Sequence, residues 1–207
     1  MRLRITFAKR GPLRYTGHLD LQRNWERIIR RAGLPLAYSQ GFHPHARIQL
    51  AAALPLGFAS RAEIVDIFLT QPVELDHLKE KLQAVCPAGL EILQVEAVEE
   101  NAPALQTRLQ AAEYRVTLPS LNADAQRELR QRIAGLLAAP SLPRQRRGKD
   151  YDLRPLIHEL RWLEDGSLFM RLSAVEGATG RPEEVLDALG IPWEETLIER
   201  IRLIFTE

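Results

Sequence analysis

The pattern of apolar and polar positions predicts the same order of elements in both halves of the chain. In the first half, Leu3, Ile5 and Phe7 alternate with polar or basic residues, as in a half-buried strand. From about Leu19, apolar residues recur at helical spacing until Gly33, which predicts an amphipathic helix. The further segments predicted in this half are strands at 47–53 and 64–69, a helix at 74–85 and a strand at 90–98.

The second half repeats this β-α-β-β-α-β order. Asn122 is a good N-cap for its first helix, and its second strand is interrupted near Pro155. The segments predicted are strands at 114–118, 151–163, 168–174 and 198–205 and helices at 122–137 and 182–189. This repetition predicts an α+β fold of tandem ferredoxin-like (βαββαβ) units with antiparallel sheets. We assign residues 1–99 and 113–207 to the units and the polar segment 100–112 to a linker.

Composition places the chain among ordinary globular proteins. Its 207 residues are 45% hydrophobic and 27% charged. No apolar run approaches the ~20 residues that a membrane span requires. A single cysteine, Cys86, excludes an internal disulfide and a cysteine-rich metal or iron–sulfur site held by this chain alone. We therefore expect a cytoplasmic protein that does not associate with membranes and carries no cofactor.

Charge is segregated along the sequence although the formal net charge is only +1. Residues 1–47 carry ten Lys/Arg against two Asp/Glu, and residues 48–113 carry four against ten. Residues 114–161 carry ten against five, and residues 162–207 carry four against ten. Each half therefore has one basic end, which favours an anionic partner.

Two histidines and an aspartate are the candidate catalytic residues. His18 and Asp20 stand at the start of the first helix, where a histidine oriented by a carboxylate, or an anion held by free backbone N–H groups, is one interpretation. Simple capping by Asp20 is the other. His43 lies in the following loop and is the third candidate.

That loop, residues 38–47, combines imidazole, aromatic and glycine positions around a proline. It suits a phosphate or a stacked nucleobase, since unpaired bases stack on aromatic side chains. Its two histidines could also ligate a metal together with His18 and Asp20, or serve the loop structure alone. The candidate nucleic-acid-binding residues of the loop are Tyr38, Gln40, Phe42, His43, His45 and Arg47.

Two basic groups are candidates for phosphate contact. Arg23, Arg27 and Arg30, with Arg31 beside them, share one broad face of the first helix, where stacked like charges favour a phosphate backbone or an acidic partner. A solvated helix face is the alternative. The second group precedes a strand around Gly148 and comprises Arg144, Arg146, Arg147 and Lys149, with Arg154 held by Asp152 or by a ligand.

The chain resembles the DUF2344 family, also described as radical-SAM-associated proteins. The segments that carry the resemblance are GPLRYTGHLDLQRNWERIIRRAGLPLAYSQGFHPHARI at 11–48, ALPLGFASRAEIVDIFL at 53–69 and GKDYDLRPLIHEL at 148–160. One departure is Ala46, which stands where the resemblance predicts a proline after His45. The site positions that the resemblance implies are His18, Asp20, Ser39, Gln40, Gly41, Phe42, His43, Pro44, Arg154 and Pro155.

The resemblance implies a context, and it implies no established activity. Such domains form the C-terminal part of B12-binding-type radical SAM proteins or separate chains encoded beside them, near genes for an RNase E/G-type ribonuclease and a ribosomal protein. We expect an accessory module that presents RNA (tRNA or rRNA) to a radical SAM partner. The alternatives are a metal-independent RNA-processing enzyme using His18 and His43 and a protein-docking domain for that partner. The cysteine motif of radical SAM enzymes is absent from this sequence.

Overall fold

The computed structural model describes residues 1–146 and 148–206. It divides the chain into two compact units, Met1–Arg108 and Leu109–Glu207. With 28% helix and 38% strand in mostly antiparallel sheet, the protein is α+β, as the sequence predicts. No helix of the described residues is long and apolar enough to cross a membrane.

The first unit is a four-stranded antiparallel sheet with its helices inserted in the order β-α-β-β-α-β. The strands pair in the order β4-β1-β3-β2, which places β1 in the interior of the sheet. The elements are β1 (Arg2–Lys9), α1 (His18–Arg31), β2 (Ile48–Leu50), β3 (Ala59–Phe68), α2 (Leu78–Gln83), β4 (Leu90–Val98) and α3 (Leu105–Arg108).

The core of the first unit lies between one face of β1 and the helices. Alternation along β1 puts Leu3, Ile5 and Phe7 on that face, and all three are fully buried. Trp25 of α1 meets the Phe7 ring edge-on, with ring centroids 4.9 Å apart. The same cluster contains Leu82 of α2, so both helices bury their apolar faces in one core.

The opposite face of β1 carries buried charge. Asp66 of β3 is 1% exposed and accepts hydrogen bonds from two guanidinium groups. The Nε atoms of Arg2 and Arg4 lie 3.1 and 2.9 Å from its two carboxylate oxygens. Arg2 also donates to the carbonyls of Ala102 and Pro103, which fastens the segment before α3 to the sheet. One carboxylate therefore neutralises a buried cation and anchors the end of the unit.

The second unit also follows the order β-α-β-β-α-β, with a small hairpin added after its first helix. Its sheet pairs in the order β11-β5-β9-β8, with β10 at the outer part of β9, and β6 and β7 pair only with each other. The elements are β5 (Leu109–Thr117), α4 (Ala123–Ala138), β6 (Pro143–Arg146), β7 (Lys149–Asp152), β8 (Ile157–Trp162), β9 (Ser167–Val175), β10 (Ala178–Thr179), α5 (Pro182–Ala188) and β11 (Leu197–Phe205).

Several boundaries differ from the sequence-based prediction. The helix predicted at 74–85 begins only at Leu78, after His77 adopts a positive φ of 58°, so Leu75 remains exposed. The segment 100–112 contains α3 and the start of β5. The strand predicted at 151–163 is interrupted near Pro155 as predicted: a 3-10 turn at Arg154–Leu156 divides it into β7 and β8.

We predict that Asp66→Asn lowers the free energy of unfolding of the first unit by about 3–5 kcal/mol. The substitution leaves the buried guanidinium of Arg2 without its counter-charge, and uncompensated buried charges cost that much. Urea unfolding is measured by tryptophan fluorescence in a Trp162→Phe, Trp193→Phe background, where Trp25 alone reports the first unit.

The matched control is Glu91→Gln. The Glu91 carboxylate pairs with Arg10 at 3.2 Å, but both side chains are more than half exposed. An exposed pair contributes about 1 kcal/mol at most. Equal effects of the two substitutions would contradict the role assigned to Asp66.

Candidate nucleic-acid interface

The chain between α1 and β2 folds back on itself as a short hairpin. Tyr38 and Ala46 form an isolated bridge, and the backbone N–H of Ser39 donates to the carbonyl of His45 at 2.8 Å. The N–H of His45 in turn donates to Ser39 Oγ at 2.9 Å. These bonds close a loop of residues 40–44, hereafter the hairpin tip. Gly41 turns it with a φ of 122°, a conformation that favours glycine.

Every side chain of the hairpin tip points into solvent. Gln40, His43 and Pro44 are exposed, and so is His45 at its base. Phe42 is fully exposed and has the most accessible large apolar side chain among the described residues. A phenyl ring at the end of a projecting loop contributes nothing to the core. The exposed ring can instead stack against a planar partner such as an unpaired base.

Helix α1 exposes its arginines because its other face is needed for the core. Leu21, Trp25, Ile28 and Ile29 fill the buried face, so the basic positions fall on the solvent side. Two are partly neutralised: Arg23 pairs with Asp20 at 3.1 Å and Arg30 with Glu26 at 3.8 Å. These exposed pairs are weak. Arg27 and Arg31 are the exposed cations of this helix that form no ion pair with the described residues.

One hydrogen bond attaches the hairpin to α1, and a second attaches the start of β2. The Tyr38 hydroxyl donates to Glu26 Oε1 at 3.0 Å, and Gln22 Nε2 donates to the carbonyl of Ile48 at 3.3 Å. Desolvation and the bond to Glu26 raise the pKa of Tyr38, so its hydroxyl keeps the proton that it donates.

This attachment places the base of the hairpin between arginines of α1. Glu26 lies three residues after Arg23 and four before Arg30, so both arginines flank the point at which Tyr38 is held. We call Arg23, Arg27, Arg30, Tyr38 and the hairpin tip the α1–hairpin surface. It joins cations that suit phosphates to an aromatic ring that suits a base.

His18, Asp20 and Arg47 are further predicted residues of the first unit. His18 and Asp20 are exposed in the first turn of α1, and no hydrogen bond among the described residues joins His18 to His43. No group of three or more His, Cys, Asp or Glu side chains is placed to hold a metal ion in this part of the chain. The Arg47 guanidinium lies 4.1 Å from the centroid of the Phe68 ring, a cation–π contact.

In the second unit, α5 holds the predicted basic hairpin. Arg146 forms a two-point contact with Glu184, with Nε and a terminal nitrogen at 3.0 and 2.6 Å from its oxygens. The pKa of Tyr151, which lies against Arg146, is raised to about 12 by burial and by Glu184. Arg144 approaches Asp187 at 3.6 Å. Lys149 is exposed without an ion pair to the described residues, and Arg147 lies outside them.

Arg154 of the second unit is engaged by backbone carbonyls. Its guanidinium donates to the carbonyl of Leu137 at 3.2 and 2.9 Å and to that of Ile157 at 3.2 Å. It thereby binds a carbonyl that the last turn of α4 leaves without a helical partner. Asp152 accepts the N–H groups of Leu142 and Arg154 at 2.7 and 2.9 Å. The DLRP segment, including Pro155, therefore builds a chain corner.

One face of the second unit's sheet is occupied by ion pairs. Arg171 lies 2.8 Å from Glu113 and 3.3 Å from Glu159, on neighbouring strands. The guanidinium of Arg161 covers the Phe169 ring at 4.8 Å from its centroid. RRM domains bind RNA by stacking bases on exposed aromatics of a sheet face. Here an RNA would have to displace paired carboxylates, so the α1–hairpin surface is the better candidate.

Two features could not be derived from the sequence pattern. Nothing in the spacing of Glu26 indicates a hydrogen bond to a tyrosine 12 residues away. The guanidinium of Arg154 donates to a backbone carbonyl of the preceding helix. Because every residue has such a carbonyl, the sequence does not indicate which one accepts.

Together, the fold and this surface define a two-unit α+β protein that presents a cationic helix and an aromatic hairpin tip on its first unit. The chain belongs to the family described as an uncharacterized protein conserved in bacteria (DUF2344), whose model matches residues 2–182. This match confirms the resemblance found in the sequence, and its span includes the α1–hairpin surface and the DLRP corner. No curated protein matches the chain.

We predict that Tyr38→Phe loosens the hairpin and leaves α1 intact. Losing the bond to Glu26 removes about 0.5–1.5 kcal/mol, which corresponds to roughly two- to tenfold faster hydrogen exchange. Exchange is measured by NMR at the amides of Ser39 and His45. The control is Tyr15→Phe, which removes a hydroxyl whose one hydrogen bond within the described residues is to neighbouring Arg14. Unchanged exchange in Tyr38→Phe would show that the bond does not hold the hairpin.

We predict that Asp152 contributes to the acid sensitivity of the second unit. The N–H groups of Leu142 and Arg154 lower the pKa of its carboxyl group, so its contribution is complete above the ordinary carboxyl pKa of about 4 and is lost as the pH falls further. The variant Asp152→Asn should therefore lose less stability between pH 5 and pH 3 than the parent protein.

The measurement is urea unfolding by fluorescence in a Trp25→Phe background, where the remaining tryptophans report the second unit. Asp150→Asn is the control, because the Asp150 carboxylate accepts a side-chain bond from Gln145 at 3.1 Å and no backbone N–H of the described residues. Identical pH profiles for Asp152→Asn and the parent would exclude the proposed linkage.

Proposed function

We propose that the protein is an RNA-binding accessory module whose main contact is the α1–hairpin surface. We further propose that each of the two units is a ferredoxin-like domain. The strand order in each sheet supports this, because the first strand lies between the third and the last in both. The module itself performs no catalysis in this proposal.

The observation that carries the proposal is the fully exposed Phe42 on a hairpin whose Tyr38 is bonded to Glu26 of the arginine-bearing helix α1. Arg23, Arg27 and Arg30 would contact phosphates, which supply most of the affinity for nucleic acid. Phe42 would stack on a base. An aromatic ring on a projecting loop can reach only a base that is not already paired and stacked, which favours single-stranded segments, loops or bulges.

The polar groups around Phe42 would give the surface its preference for RNA. Gln40, His43 and His45 are exposed in the same hairpin and carry donors and acceptors for base edges and for the ribose 2′-hydroxyl, the group that distinguishes RNA from DNA. Arg47 would support this contact from the base of the hairpin, and His18 would lie near a phosphate at the start of α1.

The basic hairpin of the second unit would have a secondary part. Arg144 and Arg146 are engaged by α5, so we assign them to holding the hairpin. Lys149 would make the phosphate contact, together with Arg147, which is proposed from the sequence alone. Arg154 would support this arrangement from the DLRP corner.

The proposed partner is a radical SAM protein in the cytoplasm, to which the module would present RNA for modification. The support is the resemblance to radical-SAM-associated proteins, together with the lack of the radical SAM cysteine motif in this chain. The partner would carry out the modification, and this protein would bind the RNA.

We predict that Phe42→Ala weakens binding to a 12-nucleotide oligouridine roughly 5- to 150-fold, because stacking on an aromatic is worth about 1–3 kcal/mol per base. Arg27→Gln should lower the affinity less and reduce the slope of log affinity against log salt by about 0.7, the loss of one phosphate contact. Fluorescence anisotropy at 50–200 mM salt measures both.

Matched controls separate this surface from general effects. Leu93→Ala removes another exposed apolar side chain, and Arg127→Gln removes an exposed helical arginine of the second unit. Neither should change the affinity. Binding that is equal in Phe42→Ala and the parent would overturn the proposal, and binding insensitive to salt would point to a protein partner for the basic face.

A further inference from the structure

The second unit contains a cavity of about 300 Å³ that the proposed RNA contacts do not use. It opens between the N-terminal half of α4, the chain after β5 and the turn between α5 and β11. Its walls are largely apolar, and the residues that form them include Leu118, Leu121, Leu129, Ile191 and Pro192. A concave apolar site with few polar groups is the usual form of a ligand site.

Specific contacts join the walls of the cavity and fix their positions. Arg132 of α4 donates to the carbonyl of Leu189 at 3.0 Å and to Glu128 at 2.6 Å, so one side chain joins the helix to the α5–β11 turn. At Gly190 the φ is 68°, and a Cβ there would lie 3.3 Å from the Arg132 guanidinium. A side chain at position 190 would crowd the arginine, and the positive φ also favours glycine there.

The lip of the cavity is acidic. Glu195 lines it and is exposed without an ion pair to the described residues, and Glu194 beside it is likewise exposed. The one cation of the lining, Arg132, is already neutralised by Glu128. Trp193, next to these residues, exposes more than a third of its surface. Phosphates would be repelled here, and a cation would be attracted.

We infer that this cavity docks a polypeptide partner that presents a large apolar side chain beside a lysine or arginine. The apolar side chain fills the cavity, because its volume is at the lower end for ligand sites and its walls offer few groups for a polar ligand. The neighbouring cation meets Glu195 at the lip. The inference is independent of RNA binding, since it uses residues of the second unit alone.

The test uses two tetrapeptides, acetyl-Lys-Leu-Phe-Lys-amide and its acidic counterpart acetyl-Glu-Leu-Phe-Glu-amide, titrated into the ¹⁵N-labelled full chain. The basic peptide should shift the amide signals of Leu121, Leu129 and Ile191 and bind at least fivefold more tightly than the acidic one. Absence of shifts up to millimolar peptide, or equal binding of both peptides, would overturn the inference.

Two substitutions locate the effect. Ala125→Leu fills the cavity from α4 and should weaken the basic peptide at least tenfold. The control Ala134→Leu adds the same side chain to an exposed position of that helix and should change nothing. Glu195→Lys should reverse the preference between the peptides. Retained binding in Ala125→Leu, with an unchanged melting temperature, would place the peptide elsewhere and refute the site.

Measuring oligouridine binding by the same variants distinguishes the peptide-docking proposal from the RNA-binding proposal. The affinity for RNA should be unchanged in Ala125→Leu, because no residue of the α1–hairpin surface lines the cavity. Loss of peptide binding with intact RNA binding supports the docking site alone. A chain that binds neither probe fails both proposals.

Discussion

A guanidinium group withdrawn from water must be met by oxygen acceptors, and this requirement organises both units of the protein. Arg2 is buried because Asp66 and two backbone carbonyls receive it, and the segment after β4 is thereby fixed to the sheet. Arg154 fixes the end of α4 in the same way through the carbonyl of Leu137. The arginines that the fold leaves exposed are the ones that a partner can contact. Helix α1 carries a dense group of them.

The arginines in the two basic segments of the sequence therefore differ in how available they are to a partner. The first block places its cations on the outer face of α1, where only weak exposed pairs reduce their charge. In the second block, Arg146 meets a carboxylate of α5 in a two-point contact, which is geometrically specific and stronger than a single exposed pair. Equal charge counts along a chain do not imply equal availability, because availability depends on which acidic element packs nearby.

The sequence predicted what depends on local periodicity. Apolar alternation in β1 and the helical spacing of α1 located both elements, and the glycine and proline around Phe42 indicated a turn. Periodicity failed at residues 74–77, since Leu75 has helical spacing but is not buried. The Tyr38–Glu26 bond, the carbonyl acceptor of Arg154 and the cavity beside α4 all join positions that are distant in sequence, and no pattern in one chain reports such contacts.

The hairpin tip stands outside the bonds that close the hairpin and outside the core. Its base is fixed by Ser39, His45 and the contact with α1, whereas the side chains at 40 and 42–44 take no part in folding. Changes of residue there carry little risk to stability, so the loop is a segment in which ligand preference can diverge while the scaffold stays constant. Among related chains, variation at these positions would report a change of target, and loss of Gly41 would report a change of loop shape.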